Sequence, residues 1–223
     1  MMKRMVLAAL LCGLYALGAS AQEKETKVAI DTNKGLITIK LYNETPRHRD
    51  NFIKLVKEHQ YDGVLFHRVI KDFMIQAGDV KAKNAPLDQP VGEGDLDYTV
   101  PAEIVFPKLY HKRGQVAAAR EGDDVNPERA SSAAHFYIVE GKKFTAEGLD
   151  KMEQSKHIKY TPEQRKVYMT EGGTPHLDNA YTVFGEVVSG MDVVDSIQVV
   201  PTDPATDRPR ENVVIRSMKI IED

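Results

Sequence analysis

Cysteine is almost absent from this sequence. Its 223 residues include one cysteine, Cys12, which lies within an N-terminal segment that we expect to be cleaved. The mature chain would then contain no thiol, which excludes disulfide bonds as a source of its stability. About 200 residues can bury a core large enough to fold without them.

An excess of basic residues is missing as well. The full chain has 30 Lys and Arg residues against 33 Asp and Glu residues. Without the two basic residues at the N-terminus, 28 oppose 33, which gives a net charge of about −5 with neutral histidines. This balance argues against nucleic acid and anionic membranes as partners, because both require a basic surface patch. Internal repeats and low-complexity tracts are also absent, and the length predicts one domain with an embellishment.

The N-terminus has the three parts of a secretory signal peptide, which we place at residues 1–21. Two basic residues precede an apolar run over residues 5–17, and a small-residue cleavage motif ends at Ala21. The run is shorter than the ~20 residues that cross a bilayer, so we predict no membrane span. A buried N-terminal helix is the alternative. We expect export to a periplasm or to the medium after cleavage near Ala21, and a mature domain over residues 22–223.

The most unusual feature is an arginine inside a strand-like segment. Alternation of side chains over residues 64–70 places Arg68 on the same side of a strand as apolar neighbours. A guanidinium in that position is costly to dehydrate unless it finds a partner. Phe73, Met74 and Gln76 follow closely, and this mixture is typical of an apolar pocket with a few fixed donors. On spacing alone, a residue of a barrel rim or an ion pair is the commoner explanation.

The segment over residues 66–79, FHRVIKDFMIQAGD, closely resembles the signature of the cyclophilins, which are peptidyl-prolyl cis/trans isomerases. The resemblance implies a mainly β fold, a closed antiparallel eight-stranded barrel capped by two helices. It also implies catalytic roles for Arg68 and Gln76. Phe73 and Met74 would bind the substrate.

Two later segments resemble the family's peptide-binding strands. The run GQVAAAR resembles a strand of small residues whose backbone binds the substrate peptide at the positions of Ala119 and Arg120. Small side chains allow a peptide to approach main-chain donors and acceptors. The run NPERASSAAHFYIV resembles the next loop and strand, in which His135 replaces a glutamine and Tyr137 replaces the phenylalanine beneath the proline pocket. Both are expected to contact the substrate.

The resemblance resumes near the C-terminus in the run PHLDNAYTVFGEV. His176 takes the position of a family tryptophan, Leu177 keeps the pocket leucine, and Tyr181 takes the position of a substrate-contacting histidine. All three are expected to bind the substrate. The resemblance covers residues 27–221 apart from residues 142–171.

Residues 142–171 replace what is a short loop in the family. Thr145 is placed to cap one helix, and residues 161–164 form a capping box with proline at the first helical position. We therefore predict a helical insertion within the domain. Its mixed charge is typical of a packed surface excursion, and a role in reading the substrate remains open because both of its ends border the proposed pocket.

Local patterns predict further elements. A hairpin is expected from Lys27, where apolar residues alternate on either side of a polar turn. Thr45 as N-cap and Pro46 as first residue predict a helix that continues to Gly63, with His59 in its buried stripe.

No metal or organic cofactor is predicted. His48, His59 and His67 match no zinc pattern, and no cysteine supplements them. Two serines close to His135 would fit a hydrolase, but the GxSxG elbow and the SxxK motif are missing.

The resemblance thus implies an isomerase that accelerates rotation about X-Pro bonds during the folding of exported proteins. Its expected partners are proline-containing polypeptides and unfolded exported proteins, and we expect a monomer. The alternative is a catalytically weak proline-peptide binding module or a holdase chaperone on the same fold, because two positions at the pocket rim are altered. The joint presence of Arg68, Phe73, Met74 and Gln76 favours the enzyme.

Overall fold

A tight antiparallel hairpin opens the part of the chain that the computed structural model describes, residues 24–221. Strand β1 (Lys27–Thr32) pairs with β2 (Gly35–Leu41), as the alternating sequence predicts. The Thr32 hydroxyl accepts hydrogen bonds from the backbone of Lys34 and Gly35, both at 3.0 Å. The predicted signal peptide lies outside the described residues.

Eight of the ten strands form one antiparallel sheet in the order β10-β1-β2-β9-β6-β8-β4-β3, while β5 and β7 pair separately. The eight later strands are β3 (Phe66–Ile70), β4 (Met74–Ala77), β5 (Thr99–Val100), β6 (Gln115–Ala118), β7 (Ser131–Ser132), β8 (Phe136–Val139), β9 (Val183–Ser189) and β10 (Ile215–Ile221). The mainly β fold and the eight-stranded sheet are therefore confirmed.

The expectation of a closed barrel is wrong, because the sheet is an open, strongly curled half-barrel. β3 and β10 lie at its two edges. They approach each other at an isolated bridge between Leu65 and Val214, which precedes both strands. Further along β3, the backbone N–H of Val69 donates to the carbonyl of Asp207 at 2.9 Å. A loop thus occupies the edge of β3 that closure would require β10 to cover.

Helix α1 (Pro46–Lys57) begins at the predicted proline but is capped in an unexpected way. The Thr45 hydroxyl makes no capping hydrogen bond. Instead, the carboxylate of Glu103 accepts from the backbone N–H of Arg47 at 3.1 Å and of His48 at 3.0 Å. A carboxylate at a helix N-terminus satisfies free donors and complements the helix dipole. The cap is therefore supplied by a residue 55 positions later in the chain.

Helix α1 is shorter than the sequence pattern predicts. It ends at Lys57, and its buried stripe contains Phe52, Leu55 and Val56. His59 adopts a left-handed conformation with φ of 55° and exposes most of its side chain. The backbone turn at His59 therefore removes it from the predicted stripe.

The remaining helices are α2 (Ala146–Lys156), α3 (Pro162–Thr170), a 3₁₀ turn (Pro175–Leu177) and α4 (Met191–Gln198). α4 packs against the sheet, while α2 and α3 form the insertion. Thr145 accepts from Gly148 at the start of α2, and Thr161 forms a complete capping box with Gln164 at the start of α3. Both predicted caps are therefore present. No helix within residues 24–221 combines the length and apolarity that crossing a membrane requires.

The insertion has a small apolar core of its own. Leu149, Tyr160 and Tyr168 are buried within it, and the rings of Phe106 and Tyr110 pack against them from the preceding loop. The insertion is therefore docked on the domain by aromatic contacts.

Candidate functional site

One small pocket collects most of the side chains that the sequence singles out. It has a volume of about 180 Å³ and lies where β3, β4 and β8 meet the segments that follow β6 and the 3₁₀ turn. Its lining residues are Arg68, Phe73, Met74, Gln76, Ala119, Arg120, Tyr137, Leu177 and Tyr181. Nine of the eleven predicted site residues thus come together.

Arg68 lies at the mouth of this pocket. The pairing of β3 with β4 places it opposite Gln76, and Nη1 donates to Oε1 of Gln76 at 3.4 Å. Its Nε lies 3.5 Å from Oδ2 of Asp207, and 42% of the side chain is exposed. A guanidinium carries five N–H donors. These two long contacts within the described residues leave most of the donors without a close protein partner, so a ligand at the pocket mouth can accept from them.

The carboxylate of Asp207 is the partner that sequence reasoning missed. It belongs to the loop that pairs with β3, since its carbonyl accepts from Val69. No local sequence signal links Asp207 to Arg68, because 139 residues separate them. Asp207 partly balances the charge of Arg68 at the pocket mouth.

The floor of the pocket is apolar and buried. Met74 and Tyr137 are 2% and 4% exposed and belong to one apolar cluster, because they lie diagonally across the paired strands β4 and β8 on the same face. Phe73 and Leu177 are partly exposed at the walls. This arrangement suits one small apolar ring that enters beside a cation.

The wall opposite Arg68 is held by a second arginine. The side chain of Arg120 donates to the carbonyl of Ala180 at 2.9 Å and forms an ion pair with Asp123 at 2.6 Å. Its guanidinium lies 4.5 Å from the centre of the Tyr181 ring. Because the side chain is 5% exposed, Arg120 stabilises the wall and does not reach out to a ligand.

The backbone of Ala119 is already engaged within the protein. Its N–H donates to the carbonyl of His135 at 3.0 Å, and its carbonyl accepts from Ser132 at 2.9 Å. A single N–H cannot serve a substrate at the same time. Ala119 therefore contributes its methyl group to the pocket.

His135 and His176, which the sequence also predicts as substrate contacts, do not line this pocket. His135 is buried, with Nε2 at 2.9 Å from the carbonyl of Gly94 and its ring 5.2 Å from that of His67. His176 lies at the surface with part of its ring covered, and it packs against Phe73 with ring centres 5.3 Å apart and ring planes tilted by 34°. Both histidines therefore support the site from outside.

The phenol of Tyr137 has a partner that the sequence did not reveal. Its hydroxyl lies 3.0 Å from Nε2 of His111, and the two rings stack 6.1 Å apart. Burial raises the pKa of Tyr137 well above its ordinary value, so the hydroxyl remains protonated. His111 follows a proline-containing loop that carried no pattern of its own.

Comparison with known proteins identifies the family. The description "Cyclophilin type peptidyl-prolyl cis-trans isomerase/CLD" applies to the family that matches residues 27–220. A Staphylococcus aureus protein assigned as a peptidyl-prolyl cis-trans isomerase is 33% identical over 208 residues, 92% of this chain and 97% of that protein. A Streptococcus pyogenes protein assigned as a bifunctional phosphatase/peptidyl-prolyl cis-trans isomerase is 36% identical over 200 residues. The match covers 88% of this chain but 39% of the Streptococcus protein.

The fold is also similar to crystal structures of a Cryptosporidium parvum cyclophilin type peptidyl-prolyl cis-trans isomerase. One aligns with a TM-score of 0.64 and 21% identity over 90% of this chain and 99% of that chain. A second, determined in the presence of the dipeptide Ala-Pro, aligns with a TM-score of 0.62 over 88% and 99% of the two chains. At 21% identity, these similarities describe the fold.

Proposed function

Because this chain belongs to the cyclophilin-type peptidyl-prolyl cis-trans isomerases, we propose that it accelerates X-Pro rotation in exported proteins through transition-state stabilisation by Arg68. One observation carries the mechanism: a partly exposed guanidinium, held only by two long contacts, stands at the mouth of a small apolar pocket. This geometry suits a reaction in which the pocket binds a proline ring while the preceding X-Pro amide rotates.

The chemistry requires no bond to be made or broken. Resonance across the C–N bond sets a barrier of ~18–20 kcal/mol, and uncatalysed X-Pro exchange takes tens of seconds or longer. In the twisted amide the nitrogen lone pair has left the resonance system and becomes a hydrogen-bond acceptor. A donor that meets this lone pair stabilises the transition state more than either planar isomer, which is the condition for catalysis.

The pocket residues divide this task between them. We assign the proline ring to the apolar surface formed by Phe73, Met74, Tyr137 and Leu177. Arg68 faces the prolyl nitrogen or the nearby carbonyl, and Gln76 orients the guanidinium through their hydrogen bond. With the ring held, rotation is confined to the preceding residue.

A longer groove supports a polypeptide substrate. It has a volume of about 930 Å³, begins at Arg68 and Gln76, and continues between two loops at Gly92 and Arg210. The similar fold that was crystallised in the presence of Ala-Pro supports a proline-containing ligand, which we place at the pocket end of this groove. We propose that unfolded exported proteins occupy it, on the basis of the predicted signal peptide.

The rival function is a proline-peptide binding module or holdase chaperone on the same fold. It draws support from His176 and Tyr137, which replace family residues. The pocket nevertheless keeps the guanidinium beside the ring site, which binding alone does not require. A panel of X-Pro peptides, assayed for cis/trans conversion in the presence of the mature protein, separates the two functions. Acceleration for several residues before proline supports the isomerase, and none throughout the panel supports the binding module.

Cyclosporin, a cyclic peptide inhibitor of many family members, is expected to inhibit this protein poorly. Its binding depends on the face that carries the family's tryptophan, where His176 offers a smaller ring. Burial, with the nearby His111 and Lys156, lowers the pKa of His176 below its ordinary value. The lowered pKa favours the neutral imidazole, so the difference from tryptophan lies in ring area and donor geometry.

The substitution His176→Trp should restore part of this sensitivity without loss of isomerase activity, because His176 lies outside the pocket. Inhibition curves of the two proteins on one X-Pro peptide measure the change. Tight inhibition of the unmodified protein, or no gain in the variant, would show that His176 does not occupy the tryptophan position.

A further inference from the structure

A buried chain of hydrogen bonds links the inserted helix α3 to the floor of the pocket. The Tyr168 hydroxyl donates to Oδ2 of Asp178 at 2.5 Å. The other carboxylate oxygen, Oδ1, accepts from the backbone N–H of His111 at 2.7 Å and lies 2.9 Å from its Nδ1. Nε2 of His111 then meets the hydroxyl of Tyr137 at 3.0 Å.

The donors and acceptors of this chain follow from its chemistry. Asp178 is fully buried and His111 is 1% exposed, so the carboxylate depends on protein donors. Nδ1–H of His111 donates to it, and Nε2 of the same ring is hydrogen-bonded to the Tyr137 hydroxyl. Burial, followed by the nearby Asp178, raises the pKa of Tyr168, which keeps its hydroxyl a donor. The hydroxyl of Tyr168 and the Nδ1–H of His111 thus both point at Asp178, and Tyr137 joins the chain through Nε2 of His111.

Strand pairing alone does not fix the ring of Tyr137. Its backbone is held between β4 and β6, but the torsion that turns an aromatic ring about its own axis is broad. The hydrogen bond and the stacked ring of His111 supply the missing constraint. Because Asp178 directly follows Leu177, the same carboxylate also anchors the pocket wall.

We propose that Tyr168, Asp178 and His111 are positioning residues for the proline pocket, through which the insertion sets how tightly the pocket binds an X-Pro peptide. This inference rests on the proposed function, whose proline pocket has Tyr137 as its floor. Residues 142–171 would then support the pocket and would be more than a packed surface excursion.

The expected effect is on binding. The Tyr137 ring contacts the prolyl ring in both planar isomers and in the twisted state, so its position affects all three similarly. Loss of uniform binding weakens affinity and leaves turnover at saturation unchanged. A substitution that breaks the chain should therefore weaken peptide binding and leave the exchange rate at saturation unchanged.

The test is a double-mutant cycle of Tyr168→Phe and Tyr137→Phe, with an Ala-Pro peptide titrated by NMR. Tyr168→Phe removes only the hydroxyl at the far end of the chain. It should raise the dissociation constant about fivefold, equivalent to about 1 kcal/mol, while the exchange rate at saturation stays within about twofold. When combined with Tyr137→Phe, the same substitution should change the dissociation constant less than about twofold, because the chain no longer reaches the pocket.

Tyr110→Phe is the matched control. Tyr110 packs against Tyr168 with ring centres 5.6 Å apart, and its hydroxyl has no hydrogen bond within the described residues. The Tyr110→Phe protein should bind the peptide with the same dissociation constant as the unmodified protein. An unchanged dissociation constant in Tyr168→Phe, or equal effects of that substitution with and without Tyr137→Phe, would overturn the proposal.

A measurement on the unmodified protein covers the case in which Tyr168→Phe fails to fold. Saturation with the peptide should shift the ring signals of Tyr168 more than those of Tyr110, because only Tyr168 is linked to the pocket. Equal or absent shifts would contradict the link. If the unmodified protein binds the peptide but does not accelerate exchange, the proposed isomerase function fails while the affinity comparison still tests the chain.

Discussion

Replacing Arg68 with alanine is expected to slow X-Pro isomerisation at least a hundredfold and to leave the fold intact. One preorganised donor at a developing charge contributes roughly 2.7–4 kcal/mol to transition-state stabilisation in comparable sites. The side chain is 42% exposed, and its ion pair with Asp207 is long. Exposed pairs of this kind contribute at most about 1 kcal/mol to stability. Activity and folding should therefore respond very differently.

Arg216→Ala provides the control for charge. Arg216 is 60% exposed on β10, and its contact with Asp31 measures 3.9 Å. It lies outside the pocket, so its removal should leave turnover unchanged. Rates on one X-Pro peptide and thermal unfolding curves compare the three proteins. A folded Arg68→Ala protein with nearly full activity would refute the role assigned to the guanidinium.

Acidification from pH 7 to pH 4 is expected to remove about 3 kcal/mol of stability through His67. Burial, together with the nearby His135, lowers the pKa of His67 to about 4. In the unfolded chain the pKa is near 6.5. Between these two pH values His67 is protonated in the unfolded state but not in the folded state. The free energy of unfolding therefore falls as the pH falls. The contribution is complete above pH 6.5 and is lost by about pH 4.

The variant His67→Asn isolates this effect. Urea unfolding at several pH values should show a shallower loss of stability in the variant, by about 3 kcal/mol over the same range. His59→Asn is the control, because His59 is 72% exposed. Parallel stability curves for His67→Asn and the unmodified protein would show that folding does not lower the pKa of His67.

The pocket was largely predictable because one short segment supplies four of its nine lining residues. Arg68, Phe73, Met74 and Gln76 lie on a single hairpin, so strand alternation and a tight turn bring them together. His135 lies outside the pocket for a physical reason that the sequence does not show. It ends a loop just before β8, where no alternation rule fixes the side, and it turns toward the carbonyl of Gly94.

Features built from distant polar contacts could not be predicted. The cap of α1 comes from Glu103 in place of Thr45, and the chain beneath the pocket joins Tyr168 to His111 through Asp178. Such contacts depend on how loops pack against the rest of the domain, and neither the periodicity nor the composition of the sequence predicts that packing. The open sheet has the same origin, since the loop at Asp207 covers an edge that strand counting assigns to β10.

Exchange NMR on an X-Pro peptide tests the isomerase function most directly. With a catalytic amount of the mature protein, cross-peaks should connect the cis and trans prolyl signals on a timescale on which the free peptide shows none. With Arg68→Ala those cross-peaks should disappear while peptide binding persists. Shifted signals without cross-peaks in the unmodified protein would contradict the isomerase function and identify a proline-peptide binding module.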